Sequence, residues 1–129
     1  MTEELVLRAY ASMINTLDSS KLLPLLPDDF HYASQSVFDE ITSKEEFSVY
    51  IDAKLKTIRD TKSKVWAEMG RFQGRSLYNQ QCVLIAQGAK DEIVGAIVAE
   101  VVDGKVLRLD MCTVAPHPSS AVGSGDYPA

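Results

Sequence analysis

The sequence predicts an α+β domain, in which helices come first along the chain and antiparallel strands follow. Residues 1–60 carry apolar side chains mostly at helical spacing, with one short strand between the helices. Residues 62–114 read as successive strands, and the last two form a hairpin that turns at Asp103-Gly104. This order indicates an antiparallel sheet with the N-terminal helices packed on one face, an arrangement that can curve the sheet around an apolar cavity on its concave side.

Capping residues and apolar stripes place the helices. Thr2 precedes an apolar stripe that contains Tyr10, so the first helix is predicted to begin just after it. Pro24 lies inside a second, shorter helical segment and predicts a 3₁₀-like turn there. Ser43 and Glu46 form a capping-box pattern, which predicts the start of the next long helix.

The predicted strands cover residues 30–36, 63–71, 78–87, 92–102 and 105–114. Residues 1–115 are expected to form one domain. Residues 116–129 are rich in Pro, Ser and Gly, which predicts a C-terminal tail that is extended or mobile.

Composition excludes several classes of function. The net charge of −5 over 129 residues argues against nucleic-acid binding, which needs a basic surface. The longest apolar stretch, residues 93–102, is interrupted by Glu100 and is too short to span a membrane. The acidic N-terminus lacks the pattern of a signal peptide, so we expect a cytoplasmic protein with Cys82 and Cys112 reduced.

Metal and cofactor motifs are also missing from the sequence. The two histidines and two cysteines are scattered, and none of them has the spacing of a zinc site. No glycine-rich phosphate loop is present. We therefore expect neither a metal nor a cofactor.

Two short segments carry a family resemblance. Residues 25–32, Leu-Leu-Pro-Asp-Asp-Phe-His-Tyr, and residues 103–106, Asp-Gly-Lys-Val, occur in this order after a first helix. The chain resembles the nuclear transport factor 2-like superfamily over residues 3–114, including its SnoaL-like and ketosteroid isomerase-like domains. The resemblance implies a cone-shaped domain with an interior pocket.

The resemblance to ketosteroid isomerases can be followed residue by residue. Counted back from the Asp-Asp corner, Tyr10 matches the tyrosine that donates a hydrogen bond to the substrate oxyanion. Ser34 stands where those enzymes carry their aspartate base, and residues 95–98 offer no acid at the position of the third catalytic group. Serine has no useful basicity near neutral pH, so that isomerase chemistry is expected to be absent.

SnoaL-like cyclases resemble the chain in the last strand, where an aspartate follows the hairpin glycine. Asp110 is offset by one position from that aspartate. Because side chains alternate along a strand, Asp110 is predicted on the outer face with Arg108, while Leu107 and Leu109 point inward. A bulge near the turn would instead bring Asp110 into the pocket as its acid.

The predicted function is the binding of a small apolar molecule of unknown identity. The candidate ligand-binding residues are those expected to line the pocket: Tyr10, Phe30, Tyr32, Ser34, Ile97, Leu109 and Met111. One alternative is a cofactor-independent isomerase, cyclase or dehydratase that acts on a cyclic or polyketide-like compound. A second is a protein-interaction module without a pocket.

A homodimer is also predicted. The outer sheet face is expected to combine polar Arg108, Asp110 and, where it points outward, Glu100 with apolar Val106 and Cys112, a mixture that suits a subunit interface.

Overall fold

The computed structural model describes residues 1–35, 39–73, 80–114 and 116–129. The two α-helices are α1 (Glu3–Thr16) and α2 (Lys44–Thr61), and short 3₁₀ turns lie at Ser19–Lys21, Leu23–Leu25 and Pro118–Ser120. The strands are β1 (His31–Ser34), β2 (Val65–Phe72), β3 (Gln81–Gln87), β4 (Ile93–Val102), β5 (Lys105–Cys112) and β6 (Ala121–Gly123). The parts of the predicted strands at Ser36 and Tyr78 lie outside the described residues.

Both helices begin where their caps predicted. The Thr2 hydroxyl accepts a hydrogen bond from the Leu5 amide at 3.2 Å, and the Ser43 hydroxyl accepts one from the Glu46 amide at 3.1 Å. The Glu46 carboxylate reaches back to the amide of Thr42, one residue before the expected partner. The predicted 3₁₀ turn around Pro24 is present.

The strands form one curved, open sheet in the order β1-β5-β4-β3-β2-β6. Neighbouring strands run antiparallel, apart from β1, which runs parallel to β5 and pairs Tyr32 with Leu109. The chain between β1 and β5 includes α2 and three strands, and that length makes the parallel pairing possible. The α+β class is confirmed.

The helices and the sheet enclose the main core. Its largest fully buried side chains come from both helices, from β1, β4 and β5, and from the segment between α1 and β1: Val6, Leu7, Tyr10, Met13, Leu22, Phe30, Tyr32, Phe47, Ile51, Ile97 and Leu109. No helix in the described ranges combines the length and apolar character that a membrane span requires.

A bulge in β5 changes which side chains point inward. Glu100 pairs with Arg108 and Val101 pairs with Val106, so Leu107 is an extra residue in β5. Val106 is therefore buried in the main core, whereas Leu107 is only half-buried. The predictions that Leu107 points inward and that Val106 lies on the outer face were wrong, because the extra residue interrupts the alternation of side chains along β5.

The C-terminal tail is extended and adds a strand to the sheet. After β5 the chain crosses to the opposite edge, where β6 pairs with β2. Pro118 is buried, and Ala121 packs on a second apolar cluster. The cluster's members lie on the sheet face opposite the main core: Phe72, Cys82, Leu84 and Ala96. The tail thus covers part of the outer face.

Candidate functional site

The side chain of Tyr10 borders a cavity between the helices and the sheet. The cavity has a volume of about 190 Å³. Its lining comes from both helices and four strands: Tyr10, Ile14, Lys54, Ile58, Val65, Ile85, Gln87, Val94 and Met111. Tyr10 is fully buried, and its hydroxyl has no hydrogen-bond partner within the described protein. An unpaired buried hydroxyl costs about 1–3 kcal/mol, so this group is poised to bond an added polar atom.

A cluster of aromatic rings lies next to Tyr10. Tyr32 packs against Phe47 and Tyr50, with ring centroids 5.2 Å and 5.5 Å away. Phe30 meets Phe47 edge-on at 5.1 Å, which is a favourable geometry for two rings. Phe30 is thus a packed core residue and does not line the cavity.

Burial controls the chemistry of the tyrosines. Burial, followed by the proximity of Tyr50, raises the pKa of Tyr10 well above its usual range. Burial, followed by the proximity of Tyr10 and Tyr50, does the same to the pKa of Tyr32. The hydroxyls of Tyr50 and Ser34 lie near that of Tyr32, but neither has good hydrogen-bond geometry with it. Both buried phenols therefore stay neutral and can act as hydrogen-bond donors.

The other predicted site residues divide between the core and a second depression. Ile97 and Leu109 are fully buried in the main core and do not reach the cavity. Ser34 lines an open depression of about 330 Å³ at the ends of β1 and β5. Met111 borders both spaces. Of the seven predicted residues, the structure brings Tyr10 and Met111 together at the cavity.

Asp110 lies on the outer face and also borders the second depression. Its carboxylate accepts two hydrogen bonds from Arg108, 2.9 Å from Nε and 2.7 Å from Nη2. Arg108 also binds Glu40 at 2.6 Å, and Glu40 contacts His31 at 2.9 Å. The side chains of His31 and Arg108 lower the pKa of Glu40. This chain of charges lies away from the cavity.

The remaining mid-strand acids are also directed elsewhere. Glu68 accepts a hydrogen bond from the amide of Gly125 in the tail at 2.7 Å, and Glu100 is exposed. No carboxylate lines the cavity within the described residues.

Cysteine and metal chemistry have no support in the described part of the chain. Burial raises the pKa of the Cys82 thiol to about 12, and it also raises the pKa of Cys112. Such thiols are poor nucleophiles at neutral pH. Among the described residues, no three His, Cys, Asp or Glu side chains come close enough together to hold a metal ion.

Sequence reasoning missed Lys54, the only charged residue in the described part of the cavity lining. Tyr50, Lys54 and Ile58 are spaced four residues apart in α2 and so share one stripe of the helix. A lysine between two residues of an apolar stripe was the available signal. Ile14 of α1 and Ile58 of α2 also line the cavity, and their helical spacing from Tyr10 and Lys54 places each on the same stripe as that residue.

Comparison with solved structures identifies the fold. The chain is similar to an NTF2-like protein of unknown function from Cytophaga hutchinsonii, with a TM-score of 0.54, 11% identity, and coverage of 86% of this chain and 88% of that one. It is also similar to a protein from Sinorhizobium meliloti proposed to be a polyketide cyclase, with a TM-score of 0.56, 13% identity, and coverage of 82% and 92%. An LEH-like epoxide hydrolase of M. tuberculosis gives a TM-score of 0.51 at 14% identity, with coverage of 84% and 82%.

These similarities define the class of fold. No protein-family model matches the chain, and no curated protein sequence matches it significantly. The chain has the nuclear transport factor 2-like fold, as its sequence segments predicted. At these identities the likeness concerns the fold and carries no activity with it.

Proposed function

We propose that the protein binds a small, ring-sized apolar molecule in the cavity beside Tyr10. The observation that carries the proposal is that Tyr10, whose buried hydroxyl has no hydrogen-bond partner among the described residues, is one of the residues that line an otherwise largely apolar space. A cavity of about 150 Å³ accommodates benzene, so about 190 Å³ suits one ring with a small substituent. The bound molecule would present one hydrogen-bond acceptor to the hydroxyl.

The absence of an acid from the described cavity lining favours binding over catalysis. The enzyme alternative, an isomerase, cyclase or dehydratase, needs a base whose pKa is tuned by burial. The candidates Asp110, Glu68 and Glu100 all lie outside the cavity. The interaction-module alternative assumes a filled core, and the cavity beside Tyr10 argues against it.

The test compares two probes that differ by one hydroxyl, para-cresol and toluene. In methyl NMR spectra, both probes should shift the signals of Ile14, Ile58 and Ile85, and para-cresol should bind more tightly than toluene. Tyr10→Phe should remove that preference. It should weaken the binding of para-cresol about 2- to 12-fold, which corresponds to the loss of one neutral hydrogen bond, and leave the affinity for toluene unchanged. Tyr127→Phe, a change in the tail, is the matched control. If neither probe shifts the cavity methyl signals, the proposal is wrong.

We further propose a cytoplasmic homodimer. The two buried, unpaired thiols fit a reducing compartment. The polar outer face of β4 and β5 still offers Glu100, Arg108 and Asp110 to a partner, but Val106 and Cys112 are buried and cannot join them. Light scattering at micromolar concentration should give twice the chain mass, and a monomer mass would contradict this proposal.

A further inference from the structure

Lys54 brings a positive charge to a cavity whose other described walls are mostly apolar. The residue is half-buried and is the one charged group in the described lining. A lysine can bury its aliphatic stem along apolar surface and keep its ammonium at the wet end of the site. Here the apolar surface beside it includes Ile58, one helical turn further along α2.

The ammonium of Lys54 has no ion-pair partner in the described ranges. Two other basic side chains of α2 are engaged: Lys56 binds Asp60 at 2.6 Å, and Arg59 donates to the Leu17 carbonyl at 2.7 Å. Lys54 is therefore set apart from the two basic residues that follow it on the helix. Gln87 adds an amide, which can also donate, to the same lining.

Tyr10 and Lys54, which both line the cavity, define a polar pattern for an occupant. Tyr10 supplies a neutral donor at a fully buried position, and Lys54 supplies a positive charge at a partly exposed one. The protein as a whole carries a net charge of −5, so its general field repels anions. An anion would be drawn to this cavity only through a local cation.

We propose that the occupant is a ring-sized monocarboxylate, with its carboxylate at Lys54 and a hydroxyl or carbonyl oxygen at Tyr10. The inference rests on the proposed binding function and adds the charge class of the bound molecule. A hydrogen bond between an ammonium and a carboxylate is shorter and stronger than a neutral one, so the charge sets selectivity among compounds of equal size.

The test uses para-hydroxybenzoate and its neutral counterpart, para-hydroxybenzamide, measured by calorimetry at low salt. The wild-type protein should bind the acid more tightly than the amide. Lys54→Gln should weaken the binding of the acid about tenfold, because a charge-assisted hydrogen bond is lost, and leave the affinity for the amide unchanged. Lys56→Gln is the matched control and should change neither affinity. Raising the salt concentration should weaken the binding of the acid and leave that of the amide unchanged.

The outcomes separate this inference from the proposed function. Equal binding of acid and amide, or an unchanged acid affinity in Lys54→Gln, would overturn the carboxylate proposal while cavity binding stands. If neither compound nor para-cresol binds, both proposals fall. The far-ultraviolet spectrum and melting temperature of Lys54→Gln establish that the variant is folded, and a loss of acid binding in a folded variant supports the proposal.

Discussion

Arg108 and Asp110 stand two residues apart on one face of β5 and are joined by two hydrogen bonds, at 2.9 Å and 2.7 Å. Asp110 and Glu40 raise the pKa of Arg108 far above its usual range, so the guanidinium is always charged. This pairing places the charge of Asp110 on the outer face. It thereby removes from the cavity the acid that a cyclase-like reaction would need.

Asp110→Asn should leave cavity binding unchanged. Both side chains of the pair are about one-third exposed, at 30% and 32%, so the lost ion pair should cost no more than about 1 kcal/mol of unfolding free energy. Urea denaturation and para-cresol titration measure the two effects. A large loss of binding in a folded variant would show that the carboxylate acts in the site, and the enzyme alternative would then be preferred.

Tyr10→Phe should not destabilise the protein when no small molecule is added. Its hydroxyl is buried without a partner among the described residues, and replacing such a group by hydrogen should be neutral or stabilising, by up to about 3 kcal/mol. Tyr10→Ala is the contrasting variant and should cost about 3–5 kcal/mol, because it leaves a void in the core. Thermal unfolding of the two variants measures this difference. A loss of more than about 1 kcal/mol in Tyr10→Phe would mean that the hydroxyl has a structural partner.

Local signals in the sequence were enough for the helices and for one wall of the cavity. The caps at Thr2 and Ser43 and the helical stripe through Tyr10 depend on neighbours three or four residues away, and these predictions were confirmed. The inward and outward pattern of Leu109 and Asp110 was also correct. The expectation that a bulge near the turn would bring Asp110 into the pocket was wrong: β5 has such a bulge at Leu107, and Asp110 still lies on the outer face.

Features that depend on distant contacts could not be read from the sequence. Asn15 in α1 exchanges two hydrogen bonds of 2.8 Å with the backbone of Ala67 in β2 and also donates to the carbonyl of Pro128. These partners lie 52 and 113 residues away in the chain. The parallel pairing of β1 with β5 and the docking of β6 on β2 likewise have no local signature.

Stability should fall in acid because several exposed carboxylates are paired in the folded state. Contacts with His31 and then Arg108 hold the pKa of Glu40 below that of an ordinary glutamate, and Lys105 holds the pKa of Asp29 below that of an ordinary aspartate. A depressed folded-state pKa contributes stability above the unfolded value, and this contribution disappears as pH falls through the folded value. The loss should therefore begin below about pH 4.5.

Urea midpoints measured between neutral pH and about pH 3 test this dependence. Glu40→Gln removes one of the groups and should flatten the acid limb of the profile, whereas Glu45→Gln, at the exposed start of α2, serves as the control. An acid limb unchanged by Glu40→Gln would mean that the contacts with His31 and Arg108 do not persist in solution.

Gly70 is the position at which the docking of the tail can be tested. A Cβ atom added there would lie 2.8 Å from the backbone oxygen of Val122 in β6 and 3.1 Å from Leu84 Cδ1. A backbone oxygen cannot turn aside as a flexible side chain can, so Gly70→Ala should push β6 away from β2. Overpacking of this kind costs about 1–3 kcal/mol. The tail should then exchange its amide hydrogens faster and become sensitive to proteases, while α1 and β5 keep their protection.

Val122→Ala is the matched control for Gly70→Ala. It alters an exposed side chain of the same strand, 53% accessible, and leaves the backbone contact intact, so the tail should keep its protection. Displacing β6 by Gly70→Ala should also uncover the apolar cluster around Phe72 and Leu84, which Ala121 now covers. An exposed apolar patch promotes association, so the variant should form larger species in light scattering. If Gly70→Ala leaves both tail protection and mass unchanged, the close approach of β6 to β2 does not hold the tail in place.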